Sequence, residues 1–275
     1  MSEDKYVDLH LHTTASDGNY APKEVVKQAA KLGFSSIAIT DHDTVEGIDK
    51  AIGEAKDYDL EIVPGIELNT DYKDVEIHIL GYYINYQQPK LNSVLKDLKK
   101  ARRRRVKKII ARLEELGIEI SFKEIIEVAG NSALGRSHIA HLLLEKGYIN
   151  SWSEAFDKYI GSGKPAYVKR EKLGPKEAIK LIQTAGGIPI VAHPGLIGND
   201  DLLPQLIDWG AKGIEVYHTE HNLEEIKKYR NWAESRDLLI TGGSDCHGPK
   251  RKDGVLLGQI KVPCHFLKQL EQTIN

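Results

Sequence analysis

The chain holds little sulfur, with two cysteines and one methionine in 275 residues. Cys246 and Cys264 make neither a disulfide framework nor a thiolate metal pattern, so any bound metal must be held by nitrogen and oxygen. No apolar run nears the roughly 18 residues that span a bilayer, and residues 1–5 lack the basic and then apolar order of a signal peptide. A cytoplasmic protein with no membrane segment is predicted. An excess of charge is missing too: 38 Lys and Arg against 40 Asp and Glu leave a formal −2. That excludes a global pull towards nucleic acid or anionic lipid, so any grip on phosphate is local. There is no glycine-rich dinucleotide fingerprint, no fixed-period repeat, no low-complexity stretch and no recognisable serine or cysteine triad. No obligate protein partner is evident.

Histidine is what the chain does have, 11 in all. The stretch from Tyr6 to Gly18 opens as a strand, in which Asp8, His10 and His12 share one face and Val7, Leu9 and Leu11 the other. Two imidazoles leaving a strand in parallel can hold one cation, although a buried histidine in a sheet can also serve only to satisfy a hydrogen bond.

Further along, strands and helices alternate. Pro22 starts a helix that Gly33 stops, and residues 34–39 read as a buried strand ending at Asp41 and His42. Residues 60–68 read as a strand interrupted by Pro64 and Gly65, and residues 75–82 as another that carries His78. From about residue 90 to residue 163 helical signals replace the alternation, led by an apolar stripe from Leu91 to Leu116. A helical insertion over 90–163 is therefore expected within a domain of 1–89 and 164–275. Alternation then resumes, with strands ending at His193, at Tyr217 and before Asp245, and with a last strand expected over 255–262. Parallel strands with polar clusters at their carboxyl ends predict an α/β barrel with its site at the mouth; an open doubly wound sheet is the competing architecture.

The polar residues at these strand ends are His10, His12, Asp17, Asp41, His42, Glu67, His78, His193, Asp245 and His247. Gathered into one mouth without cations they would satisfy one another poorly, so metal binding is the economical reading. Imidazole with carboxylate suits Zn, Mn or Fe, and the residue types do not choose among them.

These residues match a known family. Asp8-Leu-His10-Leu-His12 followed by Ser16-Asp17-Gly18, then Thr40-Asp41-His42, Gly65-Ile-Glu67, the run from His78 to Tyr83, Ala192-His193-Pro194-Gly195 and Gly243-Ser-Asp245-Cys-His247 closely resemble the PHP (polymerase and histidinol phosphatase) superfamily, in order across nearly the whole chain. The resemblance implies a distorted (β/α)7, TIM-like barrel with about three divalent ions at its mouth, suited to phosphoester hydrolysis by a metal-bridging hydroxide. It implies that His10, His12, Glu67 and Asp245 hold one ion, that Glu67, His78 and His193 hold a second across a Glu67 bridge, and that Asp17, His42 and His247 hold a third. Asp41 is expected behind them, orienting an imidazole or handling a proton.

The stretch Gly135-Arg136-Ser137-His138 resembles the branch that removes the 3′-phosphate of nucleoside 3′,5′-bisphosphates and can trim short RNA from its 5′ end. That implies phosphate contacts from Arg136, Ser137 and His221, and as a partner a small phosphorylated nucleotide or an RNA 5′ end. Thr219 stands where a proline is common in that branch, and Cys246 where a bulkier residue is common. Histidinol phosphate is the alternative substrate, and a non-catalytic metal-binding module the alternative role. The basic run 99–108 reads as a solvated helix face, and His138 with His141 as packing or surface residues.

Overall fold

Both faces of the opening strand are covered: Val7, Leu9 and Leu11 are buried, and so are Asp8 and His10. A strand buried on both sides belongs to a sheet wrapped by helices or closed on itself. The computed structural model describes residues 5–130, 133–249 and 254–274. Its first half runs β1 (Tyr6–Leu11), α1 (Pro22–Lys31), β2 (Ser36–Ile39), α2 (Ile48–Ala55), β3 (Glu61–Tyr72) and β4 (Val75–Tyr82). Next come α3 (Pro89–Glu115), α4 (Phe122–Ala129), α5 (Arg136–Glu145) and α6 (Trp152–Ala155), the last continuing into a π-helical turn (Phe156–Ile160). Then follow α7 (Pro175–Thr184), β5 (Ile188–Val191), α8 (Pro194–Ile197), α9 (Leu203–Asp208) and β6 (Gly213–His218). The described chain closes with α10 (Leu223–Glu234), β7 (Leu239–Gly243), β8 (Val262–Pro263) and α11 (Cys264–Gln272).

The strands form one sheet in the order β7-β6-β5-β4-β3-β2-β1-β8. It nearly closes between β1 and β7, where Leu11 bridges Cys246 and the His12 amide donates to the Cys246 carbonyl at 3.1 Å. The result is the distorted TIM-like barrel expected from the sequence.

Its distortion lies in β4, which runs antiparallel to both β3 and β5 while β1–β2–β3 and β5–β6–β7 are parallel. No helix separates β3 from β4. They are joined at Lys73 and Asp74, both with positive φ (50° and 64°), the conformation that turns a tight hairpin with the right twist. Reversal sets His78 level with Asn69 of β3, and the His78 carbonyl accepts the Ala192 amide at the end of β5. A mid-strand residue thus reaches the level of the other strands' carboxyl ends.

Two sequence expectations change. The strand through Pro64 and Gly65 is unbroken: Pro64 pairs with Ile39, and a Cβ on Gly65 would lie 2.9 Å from Thr40 Cγ2, so glycine lets β2 and β3 approach closely. The last strand is only Val262–Pro263, antiparallel to β1, because residues 256–260 turn rather than extend.

The chain divides into two compact units, one comprising the residues up to Ser93 with those from Lys172 onwards, the other Val94–Glu171. The second has its own apolar core, in which Val106, Ile109 and Leu113 of α3 join Ile125 of α4 and Ile139 and Leu143 of α5. The basic run of α3 lies outside this core: Lys99, Lys100, Arg103, Arg104, Lys107 and Lys108 are exposed. Among the described residues no helix is long and apolar enough to cross a membrane.

Candidate metal centre

Glu67 sits fully buried on β3 with five imidazoles around its carboxylate. On Oε2 converge His42 Nδ1 (2.7 Å), His12 Nε2 (3.2 Å) and His10 Nε2 (3.4 Å). On Oε1 converge His78 Nδ1 (2.8 Å) and His193 Nε2 (3.2 Å). Local pairing explains the convergence. His42 forms a parallel bridge with Glu67, the Asp43 amide donates to the Glu67 carbonyl at 2.9 Å, and alternation along β1 sends His10 and His12 the same way.

Asp245 supplies the second carboxylate, its Oδ1 lying 2.9 Å from His12 Nε2 and 3.5 Å from His10 Nε2. It follows β7 with φ 52°, in the turn that also carries His247. His247 Nε2 stands 3.3 Å from Asp17 Oδ1, and its ring stacks on that of His12 with centroids 4.1 Å apart. Among the described residues the donor atoms of His12, Asp17, His42 and His247 form one compact group, those of His10, His12 and Glu67 a second, those of His42, Glu67 and His78 a third, and those of His10, Glu215 and His218 a fourth.

Many of these contacts are short without being hydrogen bonds. His10 Nε2, both ring nitrogens of His12, His42 Nδ1, His247 Nε2, Glu67 Oε2 and Asp245 Oδ1 are buried and lack an aligned partner. So many orphaned polar atoms in one place are costly unless something absent from the protein completes them. Lone pairs that crowd common points instead of pairing are what ligands arranged around cations present. Electrostatics agree. Against burial, Asp245 and Glu67 push the His12 imidazole up to about 10 and Glu67 raises His78 to about 9. Also against burial, the imidazoles hold the Glu67 and Asp245 carboxyls well below the usual carboxylate range. Burial, together with the neighbouring His12, pushes His42 down to about 4. The two carboxylates favour positive charge on His12 and His78 beside them, as they would a divalent cation, and the nitrogen and oxygen donors fit such ions.

The PHP domain model matches residues 8–228. The chain belongs to the PHP family. It is 35% identical over 250 residues to a 5′-3′ exoribonuclease of Haemophilus influenzae, covering 89% of this chain and 91% of the relative. It is 31% identical over 249 residues to a 3′,5′-nucleoside bisphosphate phosphatase of Chromobacterium violaceum, covering 88% and 87%. A solved structure from Bifidobacterium adolescentis, described as a metal-dependent phosphoesterase, superposes with a TM-score of 0.84 at 29% identity over 98% of this chain and 96% of the other. This PHP protein is accordingly a metal-dependent phosphoesterase, a hydrolase of ester bonds.

Two residues of the PHP cavity were not singled out as site residues from sequence. Glu215, fully buried on β6, accepts from His10 Nδ1 at 2.9 Å and from the His193 amide at 2.8 Å. His218, at the end of β6, accepts the Glu220 amide on Nδ1 at 3.2 Å and turns Nε2 towards Asp245 Oδ2, 3.6 Å away. The available signal was a lone acid between Ile214 and Val216 in an apolar strand, where a charge needs a buried partner.

The other expected residues make the following contacts. Asp41 Oδ1 accepts the Thr13 amide (2.7 Å) and the Ser16 hydroxyl (2.6 Å), and its Oδ2 accepts the Thr13 hydroxyl (2.7 Å). Its carboxylate ties down the turn after β1, with burial raising its pKa. His221 has both ring nitrogens engaged, Nδ1 donating to the Val216 carbonyl at 2.9 Å and Nε2 accepting the Gly195 amide at 3.1 Å. Arg136 and Ser137 open α5 in the helical unit. Arg136 Nη1 donates to the Ile160 carbonyl at 3.1 Å, and its guanidinium lies over the rings of Phe156 and Tyr167.

Proposed function

We propose that this phosphoesterase removes the 3′-phosphate of a nucleoside 3′,5′-bisphosphate and also shortens short RNA from its 5′ end. The observation that carries the reading is Glu67, whose two oxygens each gather a separate set of imidazoles, as a carboxylate shared between two cations would. Support for the substrate class comes from the two relatives, one an exoribonuclease and one a bisphosphate phosphatase, each matched over most of its length.

In this reading His10, His12, Glu67 and Asp245 hold one ion, Glu67, His78 and His193 a second, and Asp17, His42 and His247 a third, with Mn, Fe or Zn suited to such donors. Divalent ions, when bound, neutralise phosphoryl oxygens and make hydroxide available at neutral pH. The chain's own residues do the rest. Glu67 and Asp245 bring fixed negative charge that holds the cluster together, and Asp41 keeps the turn carrying Asp17 in place through Thr13 and Ser16. Arg136, braced by a carbonyl and two aromatic rings, and Ser137 are assigned to phosphate of the nucleotide or RNA, where a guanidinium supplies charge-assisted hydrogen bonds.

Phosphate release from adenosine 3′,5′-bisphosphate, histidinol phosphate and a short 5′-phosphorylated RNA, each with Mn added, tests the proposal. Turnover of the bisphosphate and the RNA is expected. Turnover of histidinol phosphate alone, or of none of the three, overturns it.

A further inference from the structure

Glu215 makes an arrangement that the metal reading leaves unused. Its carboxylate, fully buried on β6, faces His10 Nδ1 with both oxygens, at 2.9 and 3.1 Å. An ionised carboxylate only accepts, so His10 must carry a proton on Nδ1 and present Nε2 to Glu67 and Asp245. Oε2 of the same carboxylate accepts the main-chain amide of His193 at 2.8 Å. His193 has φ 22° and ψ 66°, in the left-handed region that a residue with a side chain enters only when its surroundings compel it.

We infer that Glu215 is a positioning residue that registers two ligand-bearing elements at once, setting the proton of His10 on β1 and clamping the strained backbone of His193 after β5. Adjoining His218 does not compete for this role, because the Glu220 amide occupies its Nδ1 and leaves its Nε2 directed at Asp245. The inference rests on the metal-centre reading but not on the substrate assigned above.

The test uses the full chain loaded with zinc, which is diamagnetic, and the variant E215Q. Glutamine keeps the shape and an acceptor for the His193 amide, yet it offers His10 either a donor or a weaker acceptor. Expected in the wild type is a slowly exchanging Nδ1 proton on His10 in nitrogen-15 spectra, shifted or lost in E215Q. Metal affinity, from competition with a chelator, should fall about 10–100-fold. With Mn, kcat should fall while KM for the bisphosphate stays nearly constant. A wild-type His10 carrying its proton on Nε2 overturns the inference without any variant. So does an E215Q protein that folds and keeps its zinc affinity. Loss of zinc affinity in E215Q, alongside a metal-loaded wild type that is itself inactive on the bisphosphate, would support Glu215 while removing the substrate reading.

Discussion

The Asp8 carboxylate of β1 accepts the Ser244 amide just past β7 at 2.9 Å, through the same Oδ1 that faces the His10 amide at 3.3 Å. This side chain bonds across the seam where the barrel nearly closes, beside the Leu11–Cys246 bridge. Gly243 allows the approach, since a Cβ there would lie 2.3 Å from the His10 nitrogen.

Removing that acceptor should loosen the seam. D8A leaves buried amides unpaired and is expected to lose about 1–3 kcal/mol of stability, with D8N losing less because it keeps an oxygen. Denaturant unfolding checks both. G243A should also destabilise, and should lower metal content by moving His10.

Glu67 is the residue on which five imidazoles depend. E67Q is expected to reduce metal binding at least as much as the ~10–100-fold that loss of a ligand's supporting partner produces, and activity with it. Metal analysis of the purified variant beside phosphate release gives the answer; full metal content with full turnover would contradict a shared carboxylate.

Stripping the metals from the wild type should abolish turnover and lower the melting temperature. Ligands that bind only the folded state stabilise it, by about 2.7 kcal/mol at a hundredfold excess over Kd. Calorimetry before and after dialysis against a chelator, followed by readdition of Mn, measures the effect.

Asp41 spends both oxygens on Thr13 and Ser16. D41N should therefore cost about 1–3 kcal/mol of stability while the pH profile of kcat keeps its shape. A lost limb in that profile would instead give Asp41 a proton-handling role.

Arg136 offers a sharp contrast between substrates. R136A should weaken binding of the bisphosphate or RNA by about 10–100-fold, as loss of a charged hydrogen bond does, with little change in kcat for a small aryl phosphate. Steady-state kinetics on the two substrates separates binding from chemistry.

Much of the donor chemistry was legible in the sequence because it is local. Alternation over residues 6–12 sets His10 and His12 on one face, and polar residues placed where apolar runs end mark the mouth of an α/β barrel. A change of period predicted a helical insertion over 90–163, and the structure has a compact unit over Val94–Glu171.

Only the tertiary structure decided who meets whom. Periodicity did not disclose that β4 runs backwards, which brings His78 to the mouth from mid-strand. Nor did it reveal that Glu215 binds His10 across 205 residues of chain, or that His221 satisfies both its nitrogens internally. Local pattern reports which face a side chain leaves by, whereas the partner of a buried charge is chosen by packing between distant strands.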